Sequence, residues 1–197
     1  MKKIIIINTG CANFFSLKNA IQRLKYKVKI SSNIQDILMA QKIFLPGVGT
    51  MRAAMNYLNL FNLIPIIKNL KVPVLGICLG MQIFFSNSQE NGCYSALNII
   101  PESIIKLKSQ KLFLPHIGWN IVQFKKNNLL FKNIPFNSRF YFLHSYCSLI
   151  NQYTLAKTKY GSFFSSAVQK KNFFGVQFHP EKSGKVGEQL LKNFLEI

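Results

Sequence analysis

An unbroken apolar run from Ile4 to Ile7 is followed, after a polar turn, by apolar residues at helical spacing: Phe14, Leu17, Ala20, Ile21 and Leu24. A run with no polar alternation predicts a strand covered on both faces, and the spacing that follows predicts an amphipathic helix. The same alternation continues through the first half. Strands are predicted over 3–7, 26–30, 42–45 and 72–77, and helices over 14–24, 34–39, roughly 52–67 and 79–85. Pro65 is expected to end or kink the third helix, because a proline in a helix interior removes a hydrogen bond. Strands alternating with helices predict a parallel sheet flanked by helices.

Past residue 100 the pattern changes to shorter segments rich in β-branched and aromatic residues, at 103–107, 121–124, 139–143, 154–157 and 163–169. They predict additional, partly antiparallel strands. Lys170-Lys171-Asn172 predicts a hairpin turn into a strand over 173–178, and a closing helix over about 185–195 turns Val186, Leu190, Leu191 and Phe194 toward the sheet. The expected fold is α/β, a mostly parallel central sheet flanked by helices with additional partly antiparallel strands. With 197 residues, 49% of them hydrophobic, and no repeat or low-complexity linker, we expect a single domain over 1–197.

Composition narrows the function classes. No apolar run approaches the roughly 18 residues that span a bilayer. Lys2 and Lys3 before Ile4 to Ile7 imitate a secretion signal, but Asn8, Thr9 and Gly10 end the apolar stretch too early. Cys11, Cys78, Cys93 and Cys147 have neither the paired spacing of a zinc site nor that of a disulfide framework. A cytoplasmic protein with no metal and no cofactor is expected. The net charge of +19 invites a nucleic-acid reading, yet only Arg23, Arg52 and Arg139 among the 25 basic residues are arginines. The lysines are scattered, and forked recognition of phosphate and guanine favours arginine. Heavy use of Lys, Asn, Ile and Phe points to A- and T-rich codons instead, and neither a nucleic-acid nor a membrane partner is expected.

The chemistry sits in Gly76-Ile77-Cys78-Leu79-Gly80-Met81-Gln82, directly behind the strand over 72–77. Glycines bracketing a cysteine leave room for a sharp strand-to-helix turn, and the first N–H groups of the helix favour thiolate. About one hundred residues later comes Gln177-Phe178-His179-Pro180-Glu181. A lone cysteine behind an apolar strand is ordinarily a small core residue, and a lone histidine is more often structural. Together the two elements reverse those readings, since the chain has one aspartate and five glutamates and one of them falls beside His179. Cysteine, base and orienting carboxylate make a thiol-based acyl-transfer triad. Leu45-Pro46-Gly47-Val48-Gly49 offers bare backbone N–H groups for an oxyanion, at Val48 and Gly49, joined by that of Leu79.

These two motifs resemble those of the class I, or triad, glutamine amidotransferases. Within that class, Asn8 to Asn13, Leu45 to Gly49, Pro115 to Asn120 and His144-Ser145-Tyr146 resemble the glutaminase subunits of imidazole glycerol phosphate synthases. The likeness runs from the first strand to Gly184, and the length fits a subunit without a fused synthase domain. It implies Cys78 as nucleophile, His179 as general base and acid, and Glu181 as the group that orients the imidazole. It further implies substrate contacts from Gly47, Gln82, Glu90, Ser145 and Tyr146, a structural rather than catalytic His144, and a partner-facing element with Asn13, Trp119 and Asn120. In such synthases ammonia passes to a cyclase (β/α)8-barrel subunit, giving imidazole glycerol phosphate and aminoimidazole carboxamide ribotide in histidine biosynthesis. The resemblance also implies an oxyanion loop that flips when the partner binds its ligand.

Rival readings are the glutaminase component of anthranilate, aminodeoxychorismate or pyridoxal phosphate synthesis, and a scaffold that has lost catalysis. Met81, where several of those relatives carry histidine, and the segment Pro115 to Asn120 argue against the first. The intact Cys78, His179 and Glu181 argue against the second.

Overall fold

The computed structural model describes residues 3–10, 13–90, 92–108, 112–125 and 128–197. Cys11 lies outside them. The first half runs β1 (Ile4–Ile7), α1 (Phe14–Arg23), β2 (Val28–Ser31), α2 (Ile34–Leu38), β3 (Lys42–Gly47), α3 (Met51–Leu60), α4 (Leu63–Lys68), β4 (Val74–Cys78) and α5 (Leu79–Gln82). It continues with β5 (Phe85–Ser88), β6 (Tyr94–Ser95), β7 (Ile100–Lys106), β8 (His116–Ile121), β9 (Gln123–Phe124) and β10 (Arg139–His144). The chain then forms β11 (Tyr146–Ser148), β12 (Thr154–Tyr160), β13 (Ser162–Lys170), β14 (Phe173–Val176) and α6 (Gly184–Glu196).

An eight-stranded sheet in the order β2-β1-β3-β4-β14-β13-β12-β9 forms the centre. Its first five strands are parallel, and β13, β12 and β9 continue it antiparallel. The expected fold is therefore the observed one. Ile4 and Ile6 enter the core on one face, with α1 and α6; Ile5 and Ile7 enter that on the other, with α3 and α4. Double-sided burial explains why β1 reads as continuous isoleucine. Of the short segments of the second half, those in β9, β12 and β13 extend the central sheet, and those in β7, β8 and β10 fall in two smaller sheets, β10-β8 and β11-β7-β5-β6.

Two helices differ from expectation. The long third helix is two, broken at Asn62, whose left-handed backbone (φ 52°, ψ 32°) ends α3 and starts α4. Pro65 is the third residue of α4, where a missing N–H sacrifices no helical hydrogen bond. The helix expected over 79–85 is a single turn ending at Gln82, and Phe85 already belongs to a strand. The Phe84 carbonyl accepts from the N–H groups of Ile99 and Ile100, both at 2.8 Å, which commits it to a strand connection. A short apolar run reads alike as buried helix or buried strand, so the pattern alone does not separate them.

Candidate active site

Strands β3, β4 and β14 are neighbours, and their carboxyl ends deliver the three elements of the site side by side. Gly47, closing β3, pairs in register with Cys78, closing β4. Cys78 has φ 56° and ψ −113°, a backbone that L-residues rarely adopt and that lifts the thiol out of the strand direction. The glycines beside it are there for approach. A β-carbon on Gly80 would lie 1.6 Å from the Leu45 carbonyl oxygen, and one on Gly76 would lie 2.5 Å from that of Gly80. The single turn of α5 thus rides directly on the backbone of β3, and so short a helix carries little of the dipole expected from its sequence.

His179 lies three residues past β14 and is held from both sides. Its N–H donates to the Tyr141 carbonyl at 2.9 Å, while its carbonyl accepts from the Ser183 hydroxyl at 2.6 Å. That hydroxyl in turn accepts from the Tyr141 N–H at 3.0 Å, closing a clamp between β10 and the turn after the histidine. His179 Nδ1 lies 2.8 Å from Glu181 Oε1, both side chains being buried. Glu181 therefore fixes Nδ1 as the protonated nitrogen and turns Nε2 toward Cys78. Nε2 makes no hydrogen bond among the described residues but stands within electrostatic reach of Cys78. Burial works against the imidazolium; the Cys78 sulfur and the Glu181 carboxylate override it and raise His179 from 6.5 to about 10.

Cys78 and His179 open into one cavity of about 260 Å³, which Val48, Gly49, Leu79, Gln82, Glu90, Ser145 and Tyr146 also line. That is room for an amino acid rather than a large ligand. Gly47, Asn13 and Glu181 line a small neighbouring hollow behind Val48 and His179. Glu90 Oε2 accepts from the Met51 N–H at 2.7 Å, where a carboxylate meets the start of α3. Gly49 has φ +91°, and the Thr9 hydroxyl anchors the loop by donating to the Pro46 carbonyl at 3.1 Å. Asn13 caps α1 through the Ser16 N–H.

Gln177 opens the motif that carries His179 and belongs to the site, although the motif alone gave it no role. It is fully buried and donates through Nε2 to Cys78 Sγ at 3.7 Å, while its Oε1 accepts from Gln82 Nε2 at 2.9 Å. Its one signal in the sequence is an amide inside an apolar strand run. Trp119 and Asn120 lie outside the cavity. On β8, Ile117, Trp119 and Ile121 point outward and pair with Leu143, Tyr141 and Arg139 of β10. Trp119 is 54% and Ile117 59% exposed, so this is an uncovered apolar face. It reaches the site through Leu143, which lines the cavity and whose carbonyl accepts from the Cys78 thiol at 3.6 Å. Asn120 turns the opposite way, inward to His116. No described helix is long and apolar enough to cross a membrane.

The family model described as glutamine amidotransferase class-I matches residues 5–197. The chain is 56% identical over 194 residues to the imidazole glycerol phosphate synthase subunit HisH of Buchnera aphidicola subsp. Acyrthosiphon pisum, covering 98% of this chain and 99% of that one. It is 50% identical to the subunit of the same name from Salmonella typhimurium, with the same coverage of each. Among solved structures, a glutamine amidotransferase from Thermotoga maritima superposes with a TM-score of 0.66 at 15% identity, over 99% of this chain and 83% of that one. At that identity the likeness speaks for the fold.

Proposed function

The chain belongs to the class I glutamine amidotransferases, and from that premise we propose that it is the glutaminase subunit of an imidazole glycerol phosphate synthase, working as one domain with the Cys78–His179–Glu181 triad. The observation that carries the triad is the strained Cys78 backbone facing the same cavity as an imidazole whose Nδ1 is held at 2.8 Å by Glu181.

The Cys78 proton passes first to His179 Nε2, where the raised imidazole holds it, and Cys78 Sγ then attacks the carboxamide carbon of glutamine. The tetrahedral oxyanion forms against backbone N–H groups of the Val48–Gly49 loop and Leu79, where preorganised donors act most strongly. His179 then returns the proton to the leaving nitrogen, ammonia departs, and a glutamyl thioester remains on Cys78. Water, deprotonated by the same imidazole, opens the thioester to glutamate. Glu90, with one oxygen engaged by the Met51 N–H, offers its charge to the substrate ammonium. Gln82, Ser145 and Tyr146 complete the substrate pocket, and Gly47 supports it from the hollow behind Val48.

The relatives' names imply a synthase partner, which we take to be a cyclase (β/α)8 barrel, in the cytoplasm, joined one to one. The uncovered face around Trp119 supports this, because an apolar patch of aromatic and aliphatic side chains marks an interaction site. It adjoins the cavity, so released ammonia has a short covered route into the partner. The rival synthases would share the chemistry and differ in the acceptor.

The test is glutamine hydrolysis with and without that barrel and its bisphosphate ligand, with Cys78→Ala as control. Activity that needs partner and ligand and vanishes in the variant supports the assignment. Brisk hydrolysis by the chain alone, or ammonia the barrel does not capture, reopens the choice of synthase.

A further inference from the structure

Two buried histidines that the triad does not use meet at the edge of the substrate cavity, which His144 lines. His116, on β8, and His144, closing β10, approach at 3.1 Å between Nδ1 of the first and Nε2 of the second. Both ends of this pair are fixed by main chain. At one end His144 Nδ1 lies 2.9 Å from the Tyr146 carbonyl, which can only accept, so His144 carries its proton on Nδ1. At the other end Asn120 Oδ1 accepts from the Ile121 N–H at 2.8 Å, so the Asn120 amide turns its Nδ2 donor to His116 Nε2 at 3.3 Å and to the Lys159 carbonyl at 3.0 Å. With both rings neutral, each link has one permitted direction. Asn120 donates to His116, His116 Nδ1–H to His144 Nε2, and His144 Nδ1–H to the Tyr146 carbonyl. Burial keeps both imidazoles in the neutral form this requires.

The Tyr146 carbonyl receives a second donor, Gln82 Nε2, at 2.9 Å. The same amide donates to Gln177 Oε1, which turns Gln177 Nε2 to Cys78 Sγ. Two donor chains thus converge on one acceptor. The arrangement conducts no proton past that carbonyl, but it fixes the carbonyl's direction and, through it, the amides behind the sulfur. Its far end is Asn120, the neighbour of Trp119 on the strand whose outer face is uncovered.

We infer that His116 is a positioning residue: a one-way hydrogen-bond relay through His116 and His144 ties the seating of β8 to the Tyr146 carbonyl and, by way of Gln82 and Gln177, to Cys78. The inference rests on Cys78 being the nucleophile. It adds a physical path by which an object pressed on the outer face of β8 alters the pocket, since moving Asn120 displaces an ordered string of donors rather than a loose side chain.

The first test needs no substitution. Nitrogen-15 spectra of the histidine rings at pH 7 should show His116 and His144 both neutral and both protonated on Nδ1, the reverse of the tautomer that free histidine favours. An Nε2–H form at either ring overturns the inference. The second test compares His116→Phe with His116→Asn in the complex with the synthase partner. Phenylalanine keeps a ring stacked between Phe142 and Tyr160, which lie 4.8 and 4.0 Å from it, but loses both nitrogens. Asparagine leaves a gap, yet offers a donor near the place of Nδ1. If His116 positions the pocket, kcat falls about tenfold or more in His116→Phe and less in His116→Asn, although the phenylalanine variant melts higher. Activity that follows the melting order, or an unchanged kcat in His116→Phe, overturns it. Should His116→Phe not fold, the ring tautomers decide. Undiminished activity of Cys78→Ser would instead sink the assignment of the nucleophile, whatever the histidines do.

Discussion

Gly80 and Leu45 touch through their backbones so closely that a single added methyl group on the glycine would sit 1.6 Å from the leucine carbonyl oxygen. The contact seats the turn bearing Cys78 against β3, the strand that carries the Gly47–Gly49 loop. Because the obstacle is main chain, it cannot swing aside as a side chain would. Gly80→Ala is expected to cost about 3 kcal/mol or more through overpacking. For a chain of this length that lowers the melting midpoint by roughly 6–12 °C. Glutaminase activity should fall further than the stability loss explains, because nucleophile and loop separate. A midpoint within a degree or two of the parent would show that β3 and α5 part more easily than their contact implies.

Cys78 holds φ 56° and ψ −113° at a position where only glycine is at ease. Cys78→Gly and Cys78→Ala should both abolish glutamine hydrolysis. The glycine variant should nevertheless be the more stable of the two by about 1 kcal/mol, since relief of backbone strain outweighs the greater freedom of its unfolded chain. Thermal unfolding of the pair measures the difference, and an alanine variant that melts higher would remove the argument for stored strain.

Histidines that are out of the ordinary in opposite senses predict a stability optimum near neutral pH. Burial lowers His116 from 6.5 to about 4 and His144 from 6.5 to about 3, so in acid the unfolded chain binds protons that the folded chain refuses. That stability is present above pH 6.5 and lost as pH falls through those values. His179, raised to about 10, gives the mirror image. The folded chain keeps a proton the unfolded chain releases, so this contribution is full below pH 6.5 and lost as pH rises toward 10. Urea unfolding from pH 4 to 10 should show both limbs. His179→Gln should flatten the alkaline limb and leave the acid limb in place.

Trp119 is half exposed and packs edge-to-face against Tyr141 at 6.3 Å on the outer side of β8 and β10. Trp119→Ala should leave the melting midpoint of the isolated chain within about 2 °C, because a surface substitution removes little core packing. Binding of the synthase partner should weaken about tenfold or more, as truncating a large aromatic anchor usually does. Titration calorimetry with the barrel checks this, and unaltered affinity would move the docking surface elsewhere.

Much of the site was legible locally. A glycine-bracketed cysteine behind an apolar strand encodes a strained turn, and a carboxylate two residues after a histidine encodes an oriented imidazole; both follow from short-range geometry. The alternation of the first half likewise encodes a parallel sheet. The helix boundaries were less legible. Asn62 breaks a helix by adopting a left-handed backbone that many sequences avoid, and Phe85 joins a strand because β7 lies ready to receive it.

The order of residues along the chain was enough for the layering of the fold and for proposing a triad, because strand and helix periodicity and tight turns depend on residues a few places apart. It took the packed sheet to bring β14 against β4, although about one hundred residues separate Cys78 from Gln177 and His179. That adjacency brings both Gln177 and the His179 imidazole to the Cys78 sulfur. The pairing of β8 with β10, which sets His116 opposite His144, is likewise a matter of register between distant strands. A buried histidine or glutamine has no periodicity of its own, and its partner is whichever polar group the packing of the sheets carries to it.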